Sequence, residues 1–150
     1  QGAELEDLSL VDPDNRRPVD YGRAARLLAR DGPADAPGAG KLRTVARLLA
    51  LRAADPQLFA HGSLEPVTVE GVRAGHLLAF RRRLEGRGFV AAVPIRIAAA
   101  LQGEAAPARG WWGDTRYEVD GRYVLAADSL ADGSVAWHRL AGPGRNEGAA

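Results

Sequence analysis

The chain has 150 residues, 46% of them hydrophobic and 26% charged, enough for one domain with a real core or two small units, and unlike disordered or collagenous chains. Its 20 basic and 19 acidic residues leave a formal charge of +1, which argues against a broad phosphate-binding face, so no nucleic-acid partner is expected. With no cysteine, disulfide frameworks, thiolate metal sites and cysteine nucleophiles are excluded. No apolar run approaches the roughly 20 residues of a membrane helix, so no membrane association is expected either. The start is acidic and polar, with no basic segment followed by an apolar one as in a signal peptide. The chain lacks methionine and opens on Gln1, and is therefore expected to be an excised piece of a longer protein. Lys41 is the only lysine among many arginines, a compositional habit of the source genome.

The elements follow in chain order. Asp12-Pro13-Asp14-Asn15-Arg16-Arg17-Pro18-Val19-Asp20 is a polar run bracketed by two prolines, each biasing the preceding residue away from helix, and it reads as a shaped loop. Asp20 is an N-cap for a helix over Tyr21 to Arg30, with Tyr21, Ala24, Ala25 and Leu28 as its apolar stripe and Asp31-Gly32-Pro33 as its stop. Residues 31–40 form a mobile linker rich in Gly, Pro and Ala. A helix over Lys41 to Ala54 carries Leu42, Val45, Ala46, Leu49 and Ala53 on one face. Leu48 and Leu51 fall off that stripe, so this helix expects partners on two sides. Asp55-Pro56 ends it, and Leu58 and Phe59 pack back as a further turn.

Beyond His61 the period changes to two. Strands are expected over Leu64 to Val69, His76 to Leu84 and Phe89 to Ile97, the last two joined by Gly86-Arg87-Gly88. Gln102 to Gly110 reads as a loop. Arg116 to Val119 and Arg122 to Leu125 flank Asp120-Gly121, the strongest hairpin signal in the chain. Val135 to Leu140 is a final strand, and residues 142–150 a disordered tail. Two helices followed by antiparallel strands define an α+β chain.

Self-contained catalytic sets are missing from this pattern. His61, His76 and His138 lack metal-ligand spacing and lie in separate elements, so no metal is expected. There is no phosphate loop, nucleophile elbow or dinucleotide fingerprint, and no cofactor is expected. The loop from Asp12 to Asp20 is different: it packs three carboxylates and two guanidiniums into nine residues. One reading is a salt-bridged turn that caps the next helix. The other is a polyol-binding rim, in which carboxylates accept from sugar hydroxyls and arginine donates in a planar fork. Two prolines holding the rim rigid would lower the entropy cost of binding.

Gln1-Gly2-Ala3-Glu4-Leu5, followed by Asp7-Leu8-Ser9-Leu10-Val11-Asp12-Pro13-Asp14-Asn15-Arg16-Arg17-Pro18-Val19-Asp20-Tyr21, resembles the maltooligosyl trehalose synthase family of the α-amylase superfamily. In that family a Tyr-Gln-Gly-x-Glu-Leu stretch ends the eighth strand of a (β/α)₈ barrel, and a Leu-Val-Asp-Pro-Asp-Asn-Arg-Arg-Pro-Val-Asp loop follows. The first motif marks the superfamily and the second the trehalose-forming branch. Lys41-Leu42 to Leu58-Phe59 resembles the last barrel helix. Gly62 to Phe80, with Pro66-Val67, Gly71 and His76, resembles the start of the C-terminal β-domain, and Phe89 to Arg96 its next strand. Trp112-Gly113-Asp114-Thr115 resembles a recurring Trp-x-Asp-Thr. After Thr115 the likeness thins, and Tyr123 to His138 departs from the family pattern.

The resemblance implies the last loop and helices of a (β/α)₈ barrel followed by an antiparallel C-terminal β-domain, with a boundary between residues 1–60 and 61–141. It implies an isomerase of trehalose biosynthesis, acting in the cytoplasm on maltooligosaccharides. The reducing-end α-1,4 link becomes an α,α-1,1 link through retaining-glycosidase chemistry. The family's three catalytic carboxylates sit on strands four, five and seven of the barrel, so no catalytic residue is expected in this chain. Asp14 and Arg16 match an acidic residue and an arginine that contact a glucosyl unit, with Asp12 and Arg17 contacting sugar or bracing that pair. Gln1 and Glu4 are expected to be structural. Trp111 and Trp112 read either as core or as a stacking pair. Two other readings stand beside this one: a free-standing carbohydrate-binding module, which requires Trp111 or Trp112 exposed on a flat face, and a structural domain with no ligand. Without the barrel, the fragment is expected to self-associate through the helix face bearing Leu48 and Leu51.

Overall fold

The structure, a computed structural model, describes residues 4–5, 18–29, 38–102, 107–130 and 135–140. The expected disordered tail over 142–150, and residues 31–37 of the expected linker, lie outside the described residues. The chain divides into two compact units, Gln1–Ala54 and Asp55–Ala150.

The first unit holds two helices, α1 (Tyr21–Leu28) and α2 (Ala39–Ala54). Asp20 starts α1 as expected, its carboxylate accepting from the Arg23 backbone N–H at 2.7 Å and so satisfying one donor that the first turn leaves free. At the other end the Arg43 guanidinium donates to the Leu27 carbonyl at 3.1 Å. Leu27, Ala39 and Leu42 are buried together, with Leu5 and Ala24 packed against them. The α1 stripe therefore runs through Ala24 and Leu27, an i, i+3 pair, while Tyr21 is 70% exposed and Leu28 is exposed too. α2 begins at Ala39, inside the expected linker, because alanine and leucine extend a helix readily. Its buried side holds at Ala39 and Leu42 and then departs from the expected stripe: Leu49 is 58% exposed, whereas Leu48 and Leu51 are half-buried.

The second unit opens with α3 (Pro56–His61). The unit boundary thus falls before α3 and not after residue 60, because α3 is tied to the sheet that follows. Asp55 caps it by accepting from the Leu58 backbone N–H at 3.1 Å, and the same carboxylate meets Arg87 at 2.7 Å. At the C-terminal end, Arg82 donates to the carbonyls of Phe59, Gly62 and Ser63 at 2.8, 3.1 and 3.3 Å. A cation there suits both the free carbonyls and the helix dipole. Phe59 stacks on Phe89 with ring centroids 5.2 Å apart, and Phe80 meets Phe89 edge-on.

All strand pairs are antiparallel. One sheet has the order β1-β3-β4-β7, from β1 (Glu65–Pro66), β3 (Leu77–Leu84), β4 (Arg87–Pro94) and β7 (Ala136–Leu140). The other has the order β2-β5-β6, from β2 (Val69–Glu70), β5 (Arg116–Val119) and β6 (Arg122–Leu125). The single strand expected over Leu64 to Val69 is divided between them: Glu65–Pro66 pairs with β3, and Val69–Glu70 pairs with β5. Pro66 lacks a donor and takes an edge position, where that lack costs least. Val67 is buried at the crossing, its N–H on the Ala79 carbonyl at 3.0 Å. Short helices α4 (Ala98–Leu101) and α5 (Ala126–Ser129) complete the unit.

Both hairpins turn through two residues with positive φ, the combination that matches strand twist. Asp120 and Gly121 have φ of 49° and 75°, as the sequence predicts. The other turn is Glu85-Gly86, with φ of 49° and 80°, one position ahead of the expected Gly86-Arg87-Gly88. Gly88 is instead a strand residue, where an added Cβ would lie 2.1 Å from the Arg82 carbonyl oxygen.

The core lies between the two sheets. Leu77, Ala79, Val90, Ala92 and Leu140 face it from one side and Tyr117 from the other, with Trp112, Ala126 and Leu130 filling the space between. No helix among the described residues is long and apolar enough to cross a membrane.

Candidate functional site

Asp12, Asp14, Arg16 and Arg17, the sugar contacts implied by the resemblance, lie outside the described residues. The residues flanking that stretch are described. Leu5 packs against the cluster of Leu27, Ala39 and Leu42, and Asp20 caps α1. Both ends of the carboxylate–guanidinium stretch are therefore fixed to the same helical pair.

The Trp-x-Asp-Thr motif has a structural part. The Asp114 carboxylate accepts from the Val72 backbone N–H at 2.9 Å, and the Thr115 hydroxyl from that of Arg73 at 3.0 Å. Together they hold the turn at 71–76, two backbone donors satisfied by side chains rather than by a ladder. Gly71 makes the approach possible: its φ is +105°, and a Cβ there would sit 2.6 Å from the Thr115 Cα, a conformation and a distance that only glycine accepts.

Trp112 is buried and Trp111 half-buried. Trp111 meets the edges of His76 and Trp112 at 5.1 and 5.0 Å between centroids. The Arg73 guanidinium lies over its ring, 4.8 Å from the centroid. Neither ring offers the flat, exposed face that a free-standing carbohydrate-binding module would need at these positions. The Trp112 Nε1–H has no hydrogen-bond partner among the described residues.

The histidines are spread across separate places. His61 closes α3 in solvent, and His76 bonds the Arg96 carbonyl through Nδ1 at 3.0 Å. Among the described residues no three His, Asp or Glu side chains gather as a metal site would require. His138 sits against the core, its Nε2 2.7 Å from the Tyr117 hydroxyl. Burial pushes the Tyr117 phenol up and the His138 imidazolium down, because both charged forms lose solvation there. The pair is thus neutral, with the phenol donating to Nε2. Ser129 also reaches the Tyr117 hydroxyl, and Val90 lies beside His138 across the strands, with Arg81 next beyond it and paired to Glu65. Sequence reasoning missed this pair, since nothing in a single sequence brings residues 117 and 138 together across two sheets.

A pH dependence follows from that pair. The unfolded chain protonates His138 near the ordinary imidazole value of about 6.5, whereas the folded chain resists. Below that value the unfolded state binds more protons, so stability falls as the pH drops. The midpoint of urea unfolding should hold above pH 7 and decline between roughly pH 6.5 and 5, and His138→Gln should flatten that decline. Parallel curves for the two proteins would show that the imidazole is not held neutral.

A second cluster escaped sequence reasoning. Tyr123 donates its hydroxyl to Glu70 at 3.0 Å, and Arg116 reaches the same carboxylate at 2.9 and 3.2 Å. These bonds hold the Glu70 carboxyl below its usual range. The alternation of the Asp120-Gly121 hairpin foretold that Tyr123 faces outward. Its partner on β2 depended on the crossing between sheets.

Comparison with known proteins points to one class of enzyme, the maltooligosyl trehalose synthases. The chain is 49% identical over 83 residues to the protein named "Putative maltooligosyl trehalose synthase" in Mycobacterium tuberculosis strains CDC 1551 / Oshkosh and H37Rv, a match covering 55% of this chain and 10% of each relative. Among solved structures it is similar to a mutant of maltooligosyltrehalose synthase from Arthrobacter ramosus, with a TM-score of 0.70 and 37% identity, over 93% of this chain and 19% of that one. The chain thus spans a small part of the length of the proteins it matches. No family model matches it.

Proposed function

We propose that the chain is the C-terminal part of a maltooligosyl trehalose synthase. The observation that carries this reading is the structural likeness to such an enzyme, which extends over 93% of this chain at 37% identity. In this reading residues 1–60 supply the loop after the eighth strand and the last helices of a (β/α)₈ barrel, and residues 61–141 supply the C-terminal β-domain. The parent is an isomerase of the cytoplasm, with maltooligosaccharide as its substrate and no cofactor.

The chemistry divides accordingly. A carboxylate outside this chain attacks the anomeric carbon at the reducing-end linkage, and a second carboxyl group protonates the departing glucose. The glucose must be held, turned and re-attached through its own anomeric hydroxyl before water intervenes. This chain's part is to hold sugar: Asp14 accepts from and Arg16 donates to the hydroxyls of a glucosyl unit, and Asp12 and Arg17 brace them. Carboxylate and guanidinium are the residue types that recognise vicinal hydroxyls. Apart from the rest of the parent, the chain self-associates through the α2 surface bearing Leu48 and Leu51, which the exposed Leu49 extends.

An α,α-1,1 link has no free anomeric hydroxyl, so isomerisation consumes reducing ends without releasing glucose. The full-length parent given maltopentaose should lose reducing power with little free glucose. The 150-residue chain alone should change neither, because the nucleophile and proton donor lie elsewhere. Turnover by the purified chain, or pure hydrolysis by the parent, would overturn the reading.

A further inference from the structure

The outer face of the three-stranded sheet carries an aromatic side chain that the proposed function does not use. Cross-strand pairing sets Glu70, Arg116 and Leu125 in one row and Glu118 with Tyr123 in the next. Tyr117, Val69 and Val124, one position over, face the core, so these rows face solvent. Tyr123 is 53% exposed, yet it is fixed in place. Its hydroxyl is bound to Glu70, and the Arg116 guanidinium lies 4.6 Å from its ring centroid. Arg116 is itself bound to Glu70, so side chains from three strands hold one another. With the guanidinium on one side of the ring, the other side is open to water.

We propose that this face binds an α-glucan chain, with Tyr123 as the plate on which a pyranose ring stacks and Glu70, Arg116 and Glu118 as its polar rim. The choice of glucan rests on the synthase reading. A pyranose has a C–H-lined face and a margin of hydroxyls, so it requires a flat aromatic surface with acceptors and donors at its edge. Glu70 supplies acceptors and Arg116 a planar fork of donors. A ring already locked loses little freedom on binding. A protein partner fits less well, because charged residues are depleted at the centre of protein interfaces, and this ring has charges on two sides. The site lies after Thr115, where the likeness to the synthase family thins, which makes it a property of this chain.

The test is native gel electrophoresis of the 150-residue chain with and without soluble starch, together with maltoheptaose titration followed by NMR. The wild-type chain should be retarded by starch, and Tyr123→Ala should weaken binding by roughly tenfold. Tyr123→Phe, which keeps the ring, should retain most of it. Unretarded wild type, or equal binding by wild type and Tyr123→Ala, overturns the proposal, and so does a loss in Tyr123→Phe as large as in Tyr123→Ala. If binding is lost in Asp14→Ala and Arg16→Ala but not in Tyr123→Ala, the loop binds sugar and this face does not; the synthase reading then stands without it.

Discussion

Trp112→Ala should cost about 3–5 kcal/mol of stability in the second unit, a large share of the roughly 5–15 kcal/mol that a domain has in total. Trp112 is 1% exposed and lies in the core between the sheets. Its ring also meets Trp111 edge-on at 5.0 Å, and Trp111 in turn carries His76 and Arg73. Truncation therefore opens a cavity and removes the support of the neighbouring aromatic. Trp112→Phe should cost much less. It shrinks the ring but also removes a buried N–H that has no partner among the described residues, and an unsatisfied donor costs about 1–3 kcal/mol. Urea titrations followed by circular dichroism give the comparison. Equal losses in the two variants would mean that the indole N–H is well satisfied and that ring volume alone does not set the cost.

Arg16→Ala in the full-length parent should lower kcat/KM for maltooligosaccharide by roughly ten- to a hundredfold, the value of a charge-assisted hydrogen bond in a site. Arg16→Lys should not restore it, since a point charge replaces a planar fork. The thermal midpoint should change little, because the described supports of this segment are Leu5 and Asp20. Unchanged kinetics in both variants would assign Arg16 to a structural ion pair.

The elements most legible in the sequence are those whose causes are local. Asp20 and Asp55 act as caps, and Asp120-Gly121 makes its turn, because each needs only its near neighbours. The division of residues 64–69 between two sheets was not legible. Period-two alternation says which face a side chain takes, but not which sheet receives it. The α2 stripe failed at Leu49 for a related reason: a helix of alanine, leucine and arginine carries apolar groups around much of its circumference, and the side that is buried depends on what packs there. The Trp-x-Asp-Thr motif was visible as a pattern, while its work, holding the turn at 71–76, depended on a contact far along the chain. The loop of Asp12, Asp14, Arg16 and Arg17 was legible through its residue types and its family likeness.

The pairing of the strands also bears on the order in which the second unit assembles. β3 and β4 pair from Leu84 with Arg87 out to Leu77 with Pro94, around a two-residue turn whose closure takes little chain entropy. Such a hairpin zips in about 1–10 μs, and β5–β6 forms the same way. The seam between β2 and β5 is another matter. Glu70 must find Arg116, far along the chain, before the core between the sheets can close, and contacts of that separation are the slow ones. The two hairpins thus wait as preformed pieces, and the speed of folding is set by the moment when that distant pair of strands meets.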